Sequence, residues 1–299
     1  MSVVEKAIRK LQEQQHPAGA PAPAGQPPAQ APPVPPAAPG RAREGAAGQL
    51  PPIVLDRGVL RAAGLLPPEQ DMGLLSRQYR KIKHPLVAQA IGRGVPRAPK
   101  GYLIMIASAL AGEGKSFTAL NLALSLALEK DLRVLLVDGD VAKPQLTHVL
   151  GLAEAPGLLD ALRQPDLDIE SLIRPTDVPS LSFLPAGPGA EEATELLSSA
   201  RMQRTAALLG EQTERIVVLD SPPLLETTES PVLAQMAGQI VVVVRAESTP
   251  QPVLLDALKT LEGHPAVSLV LNQSLRAAVS AYYYYGYGYG SERANTTGA

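Results

Sequence analysis

Residues Ala109 to Ser116 read A-L-A-G-E-G-K-S and end in Gly114-Lys115-Ser116. An apolar run, Tyr102–Ala107, precedes them and a helical run, Phe117–Glu129, follows. A strand, a Gly-rich turn and a helix start, in that order, make a cradle for an anion. The backbone N–H groups of the turn and of the first helical turn point inward. Lys115 would supply charge for the β- and γ-phosphates of a nucleoside triphosphate, and Ser116 a hydroxyl ligand for Mg²⁺. The pattern GxxxxGK[ST] is met apart from its first glycine, where Ala109 stands. A Gly-rich helix entry that binds nothing is the alternative; the flanking strand and helix favour the phosphate cradle.

Two acidic motifs repeat the theme. Val134-Leu135-Leu136-Val137 ends in Asp138-Gly139-Asp140, followed by Lys143-Pro144, and Ile216-Val217-Val218-Leu219 ends in Asp220-Ser221-Pro222-Pro223. Both place carboxylates at the carboxyl end of an apolar strand, the edge that carries the phosphate loop. Phosphoryl transfer needs one carboxylate to hold Mg²⁺, directly or through water, and one to accept the proton of the attacking hydroxyl. An aspartate in a turn is the ordinary reading of either motif alone. Three such motifs on three strand ends outweigh it.

The elements that must position these residues alternate from Tyr102 onward. Strands are expected at Tyr102–Ala107, Val134–Asp138, Leu181–Leu184, Ile216–Leu219, Ile240–Arg245 and Val267–Leu271. Helices are expected at Phe117–Glu129, Ser199–Gln212 and Pro252–Leu261. Near-continuous apolar runs such as Ile240–Val244 suit strands buried on both faces. The fold class is α/β, a doubly wound, mostly parallel sheet with ligands at the carboxyl ends of its strands.

The 299 residues divide into five segments. A short helix occupies 1–16, with Val4, Ile8 and Leu11 at helical spacing; a docking helix and a frayed terminus are equally open readings. Residues 17–52 form a Pro/Ala-rich linker expected to be disordered: 12 of the 36 residues are proline, so it cannot build a core. Residues 53–100 are an extension, with order resuming at Ile53-Val54-Leu55, a helix over Val59–Leu65 closed by Gly64, and a helix over Ser76–Ile91 interrupted by Pro85. The main domain is 101–275, and 276–299 is a tail expected to be flexible.

Formal charge is −2, so no global electrostatic case exists for nucleic acid. There is no cysteine, which excludes disulfides, thiolate catalysis and Cys-ligated metals. His16, His84, His148 and His264 lack ligand spacing. No apolar run approaches the roughly 20 residues of a membrane span, and the N-terminus has no apolar leader. The expected location is cytoplasmic, with any membrane association through a partner.

Six of the eight tyrosines stand together: Tyr282, Tyr283, Tyr284, Tyr285, Tyr287 and Tyr289. Gly286 and Gly288 disfavour a helix there. A row of hydroxyl acceptors beside phosphate chemistry points to autophosphorylation; a sticky, adhesive tail is the alternative.

The loop ending G-E-G-K-S, the D-x-D at the second strand end and the later D-x-P-P together resemble the bacterial tyrosine kinases of capsular and exopolysaccharide export. Those are relatives of the partition and septum-positioning ATPases rather than of eukaryotic protein kinases. The likeness covers Ser76 to Tyr289. Ile53–Pro68, the Tyr79–Lys83 helix and the D-V-A-K-P form of the second motif look most like the exosortase-associated tyrosine autokinases. The resemblance implies a P-loop NTPase fold of partition-ATPase type, with ATP and Mg²⁺ as cofactors. It implies that Gly112, Glu113, Gly114, Lys115, Ser116 and Phe117 hold the phosphates and that Lys115 stabilises the transferring group. By the same likeness Ser116, Asp220 and Asp138 serve the metal, Asp138 orients or deprotonates tyrosine, and Asp140 supports the site. Asn272 would read adenine, or is a turn asparagine.

The implied partners are an inner-membrane chain-length regulator that activates the kinase, further copies of the chain, and a tyrosine phosphatase, with no nucleic acid. Leu110 stands where partition ATPases carry a signature lysine, which favours the kinase branch. Ala142 replaces a common arginine, with Lys143 next. The ring-forming E-x-x-R-x-x-R segment reads Arg77, Arg80 and Lys83 at its three positions, which leaves the usual intersubunit ion pairs, and the oligomer number, open. A partition-type ATPase switch and a nucleotide-binding scaffold without turnover are the competing functions.

Overall fold

The computed structural model describes residues 51–210 and 214–274. The expected N-terminal helix, the linker up to Leu50 and the tyrosine cluster lie outside the described residues. Seven strands form one sheet: β1 (Leu103–Ser108), β2 (Arg133–Asp138), β3 (Arg174–Pro175), β4 (Leu181–Leu184), β5 (Arg215–Asp220), β6 (Gln239–Arg245) and β7 (Val267–Asn272). They lie in the order β3-β4-β2-β5-β1-β6-β7. All neighbours are parallel except β3 with β4.

The central strands are apolar throughout because both sheet faces are covered. Leu103, Met105 and Ala107 of β1 pack into one apolar cluster, and Ile104 and Ile106 into the other. The first cluster is closed by α5 (Leu158–Arg163), α6 (Ala193–Leu197), α7 (Ala200–Leu209), α8 (Glu229–Met236) and α9 (Gln251–Lys259). The second is closed by α1 (Arg57–Ala62), α2 (Met72–Ile91), α3 (Lys115–Leu126) and α4 (Gln145–Val149). This is the doubly wound arrangement that the alternating pattern implies.

The six expected strands are present, each within a residue or two of its expected ends. The two-residue β3 is too short to leave a periodic signal. Ile53 covers this edge: its N–H donates to the Pro175 carbonyl at 2.8 Å and its carbonyl accepts from Asp177 N–H at 2.9 Å. The helix expected over Val59–Leu65 runs instead from Arg57 to Ala62, started by Asp56, whose carboxylate accepts the N–H groups of Gly58 and Val59.

The break expected at Pro85 does not occur, and α2 runs unbroken over 20 residues. Pro85 removes the hydrogen bond to the carbonyl of Lys81, and both residues are exposed, where water can serve that carbonyl. On the inner side Leu86, Val87 and Ala90 hold the helix in the core.

Helix α2 also holds a buried cation. Lys83 donates from Nζ to the Ser125 carbonyl at 2.7 Å and pairs with Glu129 at 2.8 Å, bracing the end of α3. A last position read from sequence as part of an intersubunit motif is therefore engaged within the chain. Lys83→Ala leaves the Ser125 carbonyl and Glu129 without their partner. It should destabilise the chain by about 1–3 kcal/mol in urea denaturation. A change below about 0.5 kcal/mol would show that the brace carries no stability.

Candidate active site

Strand β1 ends at Ser108, and the chain then turns through the phosphate loop into α3. Gly112 and Gly114 have φ of +78° and +97°, a left-handed backbone that side chains resist. A side chain at Gly114 would also collide with the Asn272 amide.

The loop is braced from several elements. Glu113 is buried; its Oε2 accepts the Leu110 N–H at 2.9 Å and its Oε1 accepts the Thr249 hydroxyl. Asn272, at the end of β7, donates from Nδ2 to the Glu113 carbonyl at 2.9 Å. Glu226, in the segment after β5, accepts the Ala111 N–H at 2.6 Å. The Leu224 N–H donates to the Ser108 carbonyl at 2.8 Å, which ties the same segment to the end of β1. The Glu113 carboxylate thus supports the loop from within, and its backbone N–H is the part that can meet an anion. Asn272 is occupied as a clamp on the loop, a use that neither of its expected roles included.

The acids sit beside the loop because parallel strands end in register. Asp138 of β2 and Asp220 of β5 are paired across the ladder, and both have 0% relative exposure. Asp138 Oδ2 accepts both the N–H and the hydroxyl of Thr147, each at 2.8 Å, and the Thr147 hydroxyl in turn accepts the Ala186 N–H at 3.1 Å. Asp138 Oδ1 and both oxygens of Asp220 are buried without a hydrogen-bond partner. Lys115 Nζ lies 3.8 Å from Asp140 Oδ2.

Burial raises the pKa of Asp220, and the neighbouring Asp138 raises it further, against Ser116 and Lys115, which lower it. Burial likewise raises Asp138, opposed by the two Thr147 hydrogen bonds, and raises Asp140, opposed by Lys115. Among the described residues no cluster of three His, Cys, Asp or Glu forms a metal site. The donor set still suits Mg²⁺. Three orphaned carboxylate oxygens and the Ser116 hydroxyl are hard ligands, and Mg²⁺ usually keeps water and phosphate oxygens for the rest of its shell.

A cavity of about 450 Å³ opens above Lys115, Ser116 and Phe117. Gly112, Gly114 and Asn272 also line it. Its opposite wall includes Leu65, Leu66, Pro67 and Pro68, from the segment between α1 and α2, and Gln145 and Gln273 complete it. Sequence reasoning missed these residues. The signal available was the Gly64–Pro68 turn, but nothing local says that it folds over α3. Asn121 explains it: its Nδ2 donates to the Leu65 carbonyl at 2.9 Å. The three aspartates are not among the residues lining this cavity.

Fold and site together define a nucleotide-binding domain of the P-loop ATPase class. Residues 101–274 match the AAA domain family. Tyrosine-protein kinase ptk of Acinetobacter johnsonii is 34% identical over 178 residues, covering 59% of this chain and 24% of that protein. Tyrosine-protein kinase YwqD of Bacillus subtilis is 29% identical over 194 residues, covering 65% of this chain and 78% of that one. Among solved structures, the VpsO kinase domain aligns with a TM-score of 0.58 at 28% identity, over 69% of this chain and 100% of that domain. The chain belongs to the AAA domain family and to the bacterial tyrosine-protein kinases. It spans about a quarter of the length of the Acinetobacter relative.

The acid pair has a measurable consequence. An acid whose folded-state pKa lies above its unfolded value of about 3.9 binds more protons folded than unfolded between the two values. Stability of the nucleotide-free chain should therefore be highest at the acidic end of that window and fall as pH rises through the folded-state values. Asp220→Asn should flatten this slope and raise thermal stability near neutral pH by on the order of 1 kcal/mol, a few degrees in Tm. Thermal denaturation across pH checks it; a variant with the wild-type slope would remove the assignment.

Proposed function

We propose that the chain is an ATP- and Mg²⁺-dependent protein-tyrosine autokinase that regulates polymerisation or export of an exopolysaccharide. The observation that carries this reading is the buried Asp138–Asp220 pair beside a phosphate loop whose Lys115 faces Asp140. The curated relatives named above are tyrosine-protein kinases.

The loop N–H groups and Lys115 would bind the triphosphate, and Ser116 and Asp220 would hold Mg²⁺, which leaves the one open oxygen of Asp138 for the proton. When bound, Mg²⁺ neutralises charge on the phosphate oxygens. In the transfer, the phenolic oxygen bonds to the γ-phosphorus, the bond to the β–γ bridging oxygen breaks, and ADP departs. Tyrosine has a pKa of about 10, so its hydroxyl proton must be taken up. Asp138 is the proposed acceptor through Oδ1, since Thr147 occupies Oδ2; Asp140 with Lys115 supports the site.

The proposed acceptors are the six tyrosines of Tyr282–Tyr289. Among the described residues, Tyr79 is buried, which pushes its hydroxyl up to about 12, and Tyr102 is half-buried; neither lines the cavity at the loop. Strand β7 ends at Asn272, beside the loop, and only ten positions separate it from Tyr282, a short tether for a tyrosine that must be aligned with the γ-phosphate of its own nucleotide. This supports transfer between copies. Proposed partners are an inner-membrane chain-length regulator as activator, further copies of the chain, and a tyrosine phosphatase, with exosortase-linked export as the setting. No helix among the described residues is long and apolar enough to cross a membrane, and the activator would recruit the chain to the inner membrane from the cytoplasmic side.

Two experiments test the reading. Lys115→Met should abolish phosphotransfer from radiolabelled ATP while leaving the fold intact. Label on the wild-type protein supports a kinase, free phosphate alone a partition-type ATPase, and neither a scaffold. Lys115→Met with an intact tail should then be mixed with an active chain whose six tail tyrosines are Phe. Phosphotyrosine should appear on the inactive chain within Tyr282–Tyr289, with initial rates rising faster than linearly with concentration. An unlabelled inactive chain, alongside concentration-independent labelling of the wild type, would place transfer within one chain.

A further inference from the structure

Charge is unevenly distributed along this chain. From Met72 to Gly112 there is no Asp or Glu, although the chain as a whole carries −2. That stretch contains seven Lys and Arg residues. Lys83 is buried against Glu129, and the other six, Arg77, Arg80, Lys81, Arg93, Arg97 and Lys100, are exposed. None of the six forms an ion pair among the described residues.

Most of them form one strip. Arg77, Arg80, Lys81 and His84 recur at three- and four-residue spacing, which places them along one face of α2. The opposite face, with Tyr79, Leu86 and Val87, is in the core. Arg93 continues the strip, since Arg93 and His84 both act on Glu129. Arg97 folds back so that its Cβ would lie 3.4 Å from a side chain at Gly92. Glu129, the acid facing this region, is neutralised by Lys83 at 2.8 Å. Helix α2 has 20 residues, a length of about 30 Å. Leu74, Ile91 and Val95 stand among the cations with 39%, 38% and 44% exposure.

We propose that this face of α2 and the segment after it dock the chain directly on an anionic lipid surface. The strip is a convex helix face that offers charge density along a line, which a planar anionic surface matches. Its exposed apolar groups are aliphatic, suited to the headgroup level. It presents no exposed aromatic side chain on which a nucleic-acid base could stack. The proposal does not depend on the kinase reading.

The test uses the full chain with vesicles of phosphatidylcholine alone or enriched in phosphatidylglycerol. Wild type should co-sediment with the anionic vesicles only, and be released by salt as the Debye length falls from about 10 Å to about 3 Å. Each Lys or Arg at an anionic leaflet strengthens association about five-fold. The combined variant Arg77→Gln, Arg80→Gln, Lys81→Gln should therefore bind about 100-fold more weakly, with its thermal stability and nucleotide affinity unchanged. Wild type that stays in the supernatant with anionic vesicles overturns the proposal. So does a triple variant that sediments as well as wild type. A variant that changes the oligomeric state, in a protein that ignores vesicles, would make this face a contact between copies and overturn it too.

Discussion

Two carboxylates held side by side in the dry interior set the terms for this molecule. Strands β2 and β5 are parallel neighbours, and their register places Asp138 directly across from Asp220. Burial alone disfavours ionising either one, and ionising both adds like-charge repulsion. Such a pair persists only if protons or a cation neutralise it, so the site is built to take up positive charge. Lys115 supplies some of it from the neighbouring strand–loop–helix unit. Thr147 fixes one oxygen of Asp138 with two hydrogen bonds, which leaves the other oxygen as the reactive valence of that side chain.

Around this pair the phosphate loop is held in shape from the outside. Glu113 turns its carboxylate into the protein and bonds to Leu110 and Thr249, while Asn272 fastens its carbonyl from the last strand. Glu226 takes the Ala111 N–H. A loop whose N–H groups are already oriented loses less freedom on meeting a phosphate, and preorganised dipoles act most strongly in a water-poor site. Strand β7 is an edge strand, with Leu271 62% exposed, yet it ends at a residue that shapes the loop. Its place in the sheet therefore serves the site as well as the core.

Much of this was legible in the residues, for identifiable reasons. Ile216–Leu219 and Ile240–Val244 are apolar without a break, and only a sheet covered on both faces gives a strand that pattern. The Gly-Lys-Ser turn and the two acid motifs each end such a strand, so topology brings them to one edge. What stayed hidden depends on partners distant in sequence. Asn121 fastens Leu65 across 56 positions, and Asn272 reaches Glu113 across 159. No local pattern announces either. Pro85 misled because a proline rule describes the backbone alone, whereas the inner face of α2 is held by burial and its outer face is open to water.

Helix α2 makes the same point about charge. Arg80 and Lys83 lie three positions apart in one basic stretch and read alike in the sequence. The helix separates them: Arg80 is exposed, whereas Lys83 lies in the interior, neutralised by Glu129 and bonded to the end of α3. A substitution at Lys83 acts on folding, because it leaves a half-buried carbonyl and a carboxylate without their cation. One at Arg80 changes the field outside the protein and leaves the packing alone. Counting cations gives the stretch its sign, but burial decides which of them a partner can meet, and here it leaves the outward face with positive charge and no acid in its own sequence to cancel it.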